Sequence, residues 1–135
     1  YRPEEWARRA VSLYRSLDAD RIIGEVNNGG DLIEAAIRAQ AADVPYKAVR
    51  ASKGKVARAE PVAALYERGK VVHIGQFPEL EDQCCAITVG FDSKVAGWSP
   101  DRVDALVWGL TELFPALSAR RSTMQEMPKP QFSMI

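Results

Sequence analysis

The chain has 135 residues, 47% of them apolar, which is enough for one hydrophobic core and typical of an ordinary globular domain. Its 18 basic and 18 acidic residues cancel, which excludes a global field that would steer it onto nucleic acid or a membrane, so any polyanion site must be a local patch. The neighbouring Cys84 and Cys85 exclude an ordinary disulfide between them and offer no metal-ligand spacing, a pattern that fits a reduced compartment, and no apolar run approaches the roughly 18 residues of a membrane span.

Pro3, Glu4 and Glu5 predict a helix start, with Trp6, Ala10, Leu13, Tyr14 and Leu17 as its apolar stripe. A β-branched run predicts a strand over 22–26, and Asp31 opens a second helix carrying Leu32, Ile33, Ala35, Ala36, Ile37 and Ala39 before Pro45. A second strand follows over 46–51, so the strand, helix, strand order implies a parallel pair. A basic turn leads into a third helix over 56–68, stopped by Gly69, and Val71 to Ile74 reads as a short third strand. A short helix is expected over 77–85 and an irregular segment over 86–98. Ser99 as cap and Pro100 as first helical residue then open a helix with Val103, Leu106, Val107, Leu110, Leu113 and Phe114 as its buried stripe. Beyond Pro115 the pattern fades into a mobile tail.

Glu25 is the anomaly in the first strand, because a carboxylate is disfavoured there and lies close to the strand end, where parallel sheets bind ligands. The plain alternative is a solvated edge residue paired with Arg21 or Arg50. Asp101 and Asp104, three apart, project from one side of the last helix; Asp101 suits the helix dipole, whereas Asp104 stands a turn further in. A strand Glu and a helix Asp brought together would make an all-oxygen site for Mg²⁺ or Mn²⁺, of the kind that activates water in phosphoryl transfer. Lys53, Lys55 and Arg58 around Gly54 are candidate phosphate contacts, or simply a solvated basic turn. His73, in its apolar run, and the two cysteines read as structural, and Trp98 and Trp108 as core walls. The Asn27-Asn28-Gly29-Gly30 turn lacks the full nucleotide-binding patterns.

Three ordered segments carry a resemblance: Glu25 to Asp31, Val49 to Pro61, and Ser99 to Trp108, supported by Tyr66 to Val71. Together they resemble the C-terminal nuclease domain of phage terminase large subunits, the DNA-packaging proteins of tailed phages, prophages and gene-transfer agents. The resemblance implies an α/β, ribonuclease H-like mixed sheet with flanking helices, an acidic cluster that binds two divalent metals (Mg²⁺ or Mn²⁺), and cutting of concatemeric DNA in the host cytoplasm. Glu25 then corresponds to the strand acid and Asp104 to the helix acid, with Asp101 accessory, and Lys53, Lys55, Arg58 and Asn27 lie near double-stranded DNA. The terminase small subunit and the portal protein are the implied partners.

The family's first catalytic aspartate belongs to a strand upstream of these segments, so the domain is expected over 1–115 without its first strands, followed by a tail over 116–135. Asp20 does not substitute, because five residues of strand separate it from Glu25 by on the order of 16 Å. The fragment alone is therefore expected to be inactive, and the intact protein a two-metal endonuclease. The alternative is a non-catalytic DNA- or portal-binding module of the packaging motor.

Overall fold

The computed structural model describes residues 2–26, 31–87 and 91–116, in two compact units, Tyr1–Gly54 and Lys55–Ile135. In the first unit α1 (Pro3–Ser16) starts as its sequence dictates, with Pro in the first turn, Glu4 and Glu5 facing the positive helix end, and the Glu5 carboxylate accepting the Arg2 N–H at 3.2 Å. The chain leaves α1 through Asp18 at φ 48°, a left-handed turn that Asp tolerates better than most residues. Then β1 (Ile22–Glu25), α2 (Asp31–Gln40) and β2 (Tyr46–Val49) form a parallel pair in the register Ile22 to Tyr46 and Glu25 to Val49.

The core of this unit is Ala7, Val11, Ile37, Ala41 and Val44, with Ile22 and Tyr46 packed on it from the sheet. The buried line of α1 is therefore Ala7 and Val11, flanked by Trp6, Ala10 and Tyr14, while Leu13 and Leu17 are 51% and 73% exposed. Small residues at the contact let α1 and α2 approach closely, and the larger leucines fall outside that seam. Leu32 is likewise exposed on α2, where Ile37 supplies the core contact.

Side chains alternate across a strand, so Ile22 and Gly24 share the face that meets the helices, and Ile23 and Glu25 take the opposite one. The Tyr46 ring lies over Gly24, where a Cβ would collide with its hydroxyl and ring carbons. Gly24→Ala is accordingly expected to destabilise the protein by about 1–3 kcal/mol, through overpacking next to Glu25, as read from urea unfolding. An unchanged midpoint would show that the ring simply swings aside.

The second unit is helical. Here α3 (Lys55–Glu67) ends at Gly69 with φ 63°, as its sequence predicts. It is followed by α4 (Pro78–Ala86), the short α5 (Ser93–Ala96) and α6 (Asp101–Leu113). Val62, Val103 and Val107 form the core, with Ala59, Tyr66, Leu80, Cys84, Ile87 and Leu110 against it. The expected third strand over 71–74 is not one: Val72 and Ile74 are 81% and 94% exposed, and no strand lies alongside among the described residues. A β-branched run becomes a strand only where a ladder partner accepts its backbone. The segment is held by a side chain instead, with His73 Nε2 2.7 Å from the Tyr66 hydroxyl and Nδ1 3.3 Å from Glu81 Oε1.

Three smaller expectations shift in this unit. The segment expected to be irregular contains α5, capped by Asp92, which accepts the Lys94 N–H at 2.8 Å, and closed by Gly97 at φ 74°. Cys85 is exposed, while Cys84 packs, and burial pushes its thiol above the ordinary cysteine value, aided by Cys85 and Glu81, which leaves it a poor metal ligand. Leu113 is 71% exposed at the end of α6. The tail expected from 116 onward lies, from residue 117, outside the described residues.

Candidate metal centre

Two pairs of charged residues, each spaced three apart on a helix, face each other in the second unit. Lys55 and Arg58 stand in the first turns of α3, and Asp101 and Asp104 in the first turn of α6. Such spacing places both members on one side of their helix, so the acids meet the bases as a set. Asp104 is the buried polar residue of the core, 8% exposed, and its two oxygens are served separately. Oδ1 accepts from Arg58 Nη2 at 2.5 Å, and Oδ2 lies 3.1 Å from Lys55 Nζ. Lys55 Nζ also reaches the Ser99 hydroxyl at 2.9 Å and Asp101 Oδ1 at 3.4 Å, and the Ser99 hydroxyl donates to Asp101 at 2.5 Å.

The charges reinforce one another. A hydrogen bond from Ser99 holds the Asp101 carboxyl below the usual range, against the effect of burial and with help from Lys55. Burial works against the Lys55 charge, but its bonds to Asp104 and Asp101 outweigh it, leaving its pKa above the ordinary lysine value. Arg58 lies with its guanidinium carbon 4.8 Å from the centroid of Trp108, one turn beyond Asp104 on α6. Trp108 is thus a platform for the cation that grips Asp104, a role the sequence left unread.

Asp104 occupies its place because α6 starts where it does. Pro100, fully buried, is the N-cap residue, one position later than expected for a Ser99 cap, and its carbonyl accepts the Asp104 N–H at 2.9 Å. The freed Ser99 side chain turns to Asp101 instead of capping. The first-turn N–H groups of Arg102 and Val103 are taken by Gln83 Oε1 of α4, at 3.0 and 3.4 Å. Gln83→Ala strands two helix-end donors, so a loss of about 1–2 kcal/mol in unfolding free energy is expected. A loss below about 0.3 kcal/mol would show that water replaces Gln83 without cost.

The other predicted site residues lie in the first unit. Glu25 is half-buried at the end of β1, on the sheet face opposite the helices, and Lys53 is exposed in the turn before α3. Asn27 lies outside the described residues. An apolar hollow of the second unit, about 480 Å³ between α3, α4 and α6, has Glu60, Glu67 and Glu81 but no Lys or Arg in its lining. A polyanion therefore has nothing to bind there.

A family model described as the terminase RNaseH-like domain matches residues 1–113. The chain belongs to this family. No curated protein and no solved structure matches it significantly. Membership implies a role in phage DNA packaging and nuclease activity, with DNA and the packaging machinery as partners. A phage terminase acts in the host cell, and no helix among the described residues is long and apolar enough to cross a membrane. The α/β fold expected from the sequence is present as six helices and a two-stranded parallel sheet among the described residues.

RNaseH-like nucleases generally use divalent metals, and the terminase cluster fits one in kind. Asp104, Asp101 and Ser99 are hard oxygen donors of the sort Mg²⁺ and Mn²⁺ take, and they already surround a cation, the Lys55 ammonium. In number the donors are fewer: among the described residues no three His, Cys, Asp or Glu side chains gather closely enough to hold a metal ion.

Proposed function

We propose that this terminase domain is the metal-dependent endonuclease that cuts concatemeric phage DNA, with Asp104 and Glu25 as metal ligands and Asp101 as an accessory one. The observation that carries the reading is Asp104 itself, a carboxylate 8% exposed and gripped by two cations. Buried ion pairs contribute little to stability compared with apolar residues of the same volume, so a core carboxylate of this kind points to chemistry. Glu25 supports it from the end of β1, on the sheet face its neighbours leave away from the helices.

Bound divalent cations would supply the charge that activates a water and steadies the leaving oxygen of the phosphodiester. The chain's own residues orient that chemistry. Arg58 and Trp108 fix the Asp104 carboxylate, Gln83 fixes the helix that carries it, Lys53, Lys55 and Arg58 neutralise backbone phosphates of double-stranded DNA, and Asn27 hydrogen-bonds to them. The domain boundary at about residue 115, and contacts with the small subunit and portal, belong to the same reading.

The test is nicking of supercoiled plasmid by the terminase protein that carries this domain. Nicking is expected in Mg²⁺ or Mn²⁺ and to disappear with EDTA. DNA retention that is indifferent to Mn²⁺, with no cleavage, would replace this reading with a binding module of the packaging motor.

A further inference from the structure

In the second unit Lys55 and Arg58 face Asp101 and Asp104, two cations against two carboxylates. A polyanion is held by positive charge that the protein leaves uncancelled, so a duplex calls for further cations elsewhere on the chain. The first unit has them. A hollow of about 470 Å³ along α1 is lined by Arg8, Val11, Ser12, Arg15, Ser16 and Gln40, with no Asp or Glu in its lining. Arg8, Ser12 and Arg15 stand four and three residues apart, so they share one side of α1, beside the Ala7 and Val11 line that faces the core. All three are exposed, and Gln40 at the end of α2 is half-buried.

We infer that this side of α1 is a second contact for double-stranded DNA, in which Arg8 and Arg15 each meet a backbone phosphate and Ser12 and Gln40 donate hydrogen bonds between them. The inference rests on the reading of the chain as a DNA-cutting terminase domain. A guanidinium matches phosphate oxygens well, because two parallel N–H bonds reach them from one planar fork. From Arg8 to Arg15 the helix rises about 10 Å, and the phosphates of one strand recur about every 3.4 Å of duplex axis, so the two arginines meet different phosphates. The partner that Arg15 has is a loose one. Its Nη2 lies 3.9 Å from Asp43 Oδ1, with the two side chains 62% and 83% exposed, a pair that solvent screens and a phosphate displaces. The Ser16 hydroxyl donates to the Leu13 carbonyl at 3.1 Å and is therefore not among the donors. Arg15 and Gln40 stand in the last turns of their helices, where the dipole disfavours an anion, so side chains and not backbone N–H groups carry the contact. Such a contact positions the duplex without reading its sequence.

The experiment is binding of a fluorescently labelled duplex by the terminase protein that carries this domain, read by anisotropy over a salt series in EDTA, which prevents cleavage. In Arg8→Gln/Arg15→Gln the slope of log affinity against log salt is expected to fall by about 1.8, since each phosphate contact contributes about 0.9. Duplexes of unrelated sequence should lose affinity equally. Arg9→Gln makes the same charge change at an exposed α1 residue outside the hollow, and should leave the slope as it is in the wild type.

An unchanged slope in Arg8→Gln/Arg15→Gln, with the wild type binding DNA, would overturn the α1 contact and leave the nuclease reading standing. An equal fall in Arg9→Gln would overturn it too, because the effect would then be one of net charge. Wild-type protein that binds no DNA would overturn both. Should the double variant not fold, Asp43→Asn decides the matter. Removing the acid that competes for Arg15 is expected to tighten binding at low salt, and unchanged affinity overturns the contact.

Discussion

Asp104→Ala is expected to abolish metal-dependent nicking and to lower unfolding free energy by about 3–5 kcal/mol, because it removes the buried carboxylate that pairs with both Arg58 and Lys55. Both effects arise from one residue, so the alanine variant alone does not separate chemistry from folding. Asp104→Asn does. Its amide oxygen still accepts a hydrogen bond from Arg58, so the stability loss should be clearly smaller, while the missing charge reduces nicking on the order of 10²–10³-fold. The measurements are urea unfolding and plasmid nicking on the same preparations. Nicking by Asp104→Asn within tenfold of wild type would remove Asp104 from the proposed site and leave it a structural ion-pair partner.

Glu25→Gln should have a comparable effect on cleavage with almost none on stability. Glu25 lies at the end of β1 on the face away from the first unit's core, so an isosteric amide removes a charge without disturbing packing. A fall in nicking of on the order of 10²–10³-fold with less than about 1 kcal/mol change in unfolding is the expected result. The pair of variants is stronger than either alone. Unchanged activity in both Glu25→Ala and Asp104→Ala would sink the assignment, whereas loss in both, with Glu25→Gln still folded, places the two carboxylates in one reaction. Additive losses in the double variant would argue that they act independently.

A part in cleavage would account for an ion cluster that apolar residues of the same volume could replace at no loss of stability. The Lys55–Asp104–Arg58 set is assembled by α3 and α6 and locked by Trp108 and Gln83, residues with no charge of their own. Positioning groups of this kind are where conservative changes have the clearest effects on geometry. Gln83 is a useful control: its loss should lower stability and nicking together, while leaving the charges of the cluster untouched.

Much of the architecture was legible in the chain because its causes are local. Pro3 with Glu4 and Glu5, the β-branched run at Ile22, the stop at Gly69 and the Pro100-Asp101 start each act within a turn of where they stand, and each marks an element that the structure contains. One candidate was legible for a related reason: a strand carboxylate at Glu25 conflicts with local preference, whereas Asp104, which the sequence placed a turn further in, lies in the first turn of α6 where an acid suits the helix dipole. The sequence could not reveal which partners those acids take. Arg58 and Asp104 are 46 residues apart, and nothing in either segment encodes that α3 and α6 lie side by side. Lys55 and Arg58 therefore read as phosphate contacts or a solvated basic turn, when packing makes them the cations of a buried carboxylate. The run at Val71 to Ile74 went astray by the same physics, since a strand exists only through its neighbour. What the sequence determined by itself was the set of elements and the residues at odds with them; what tertiary structure decided was which charges meet, because desolvation and pairing depend on distances that only packing sets.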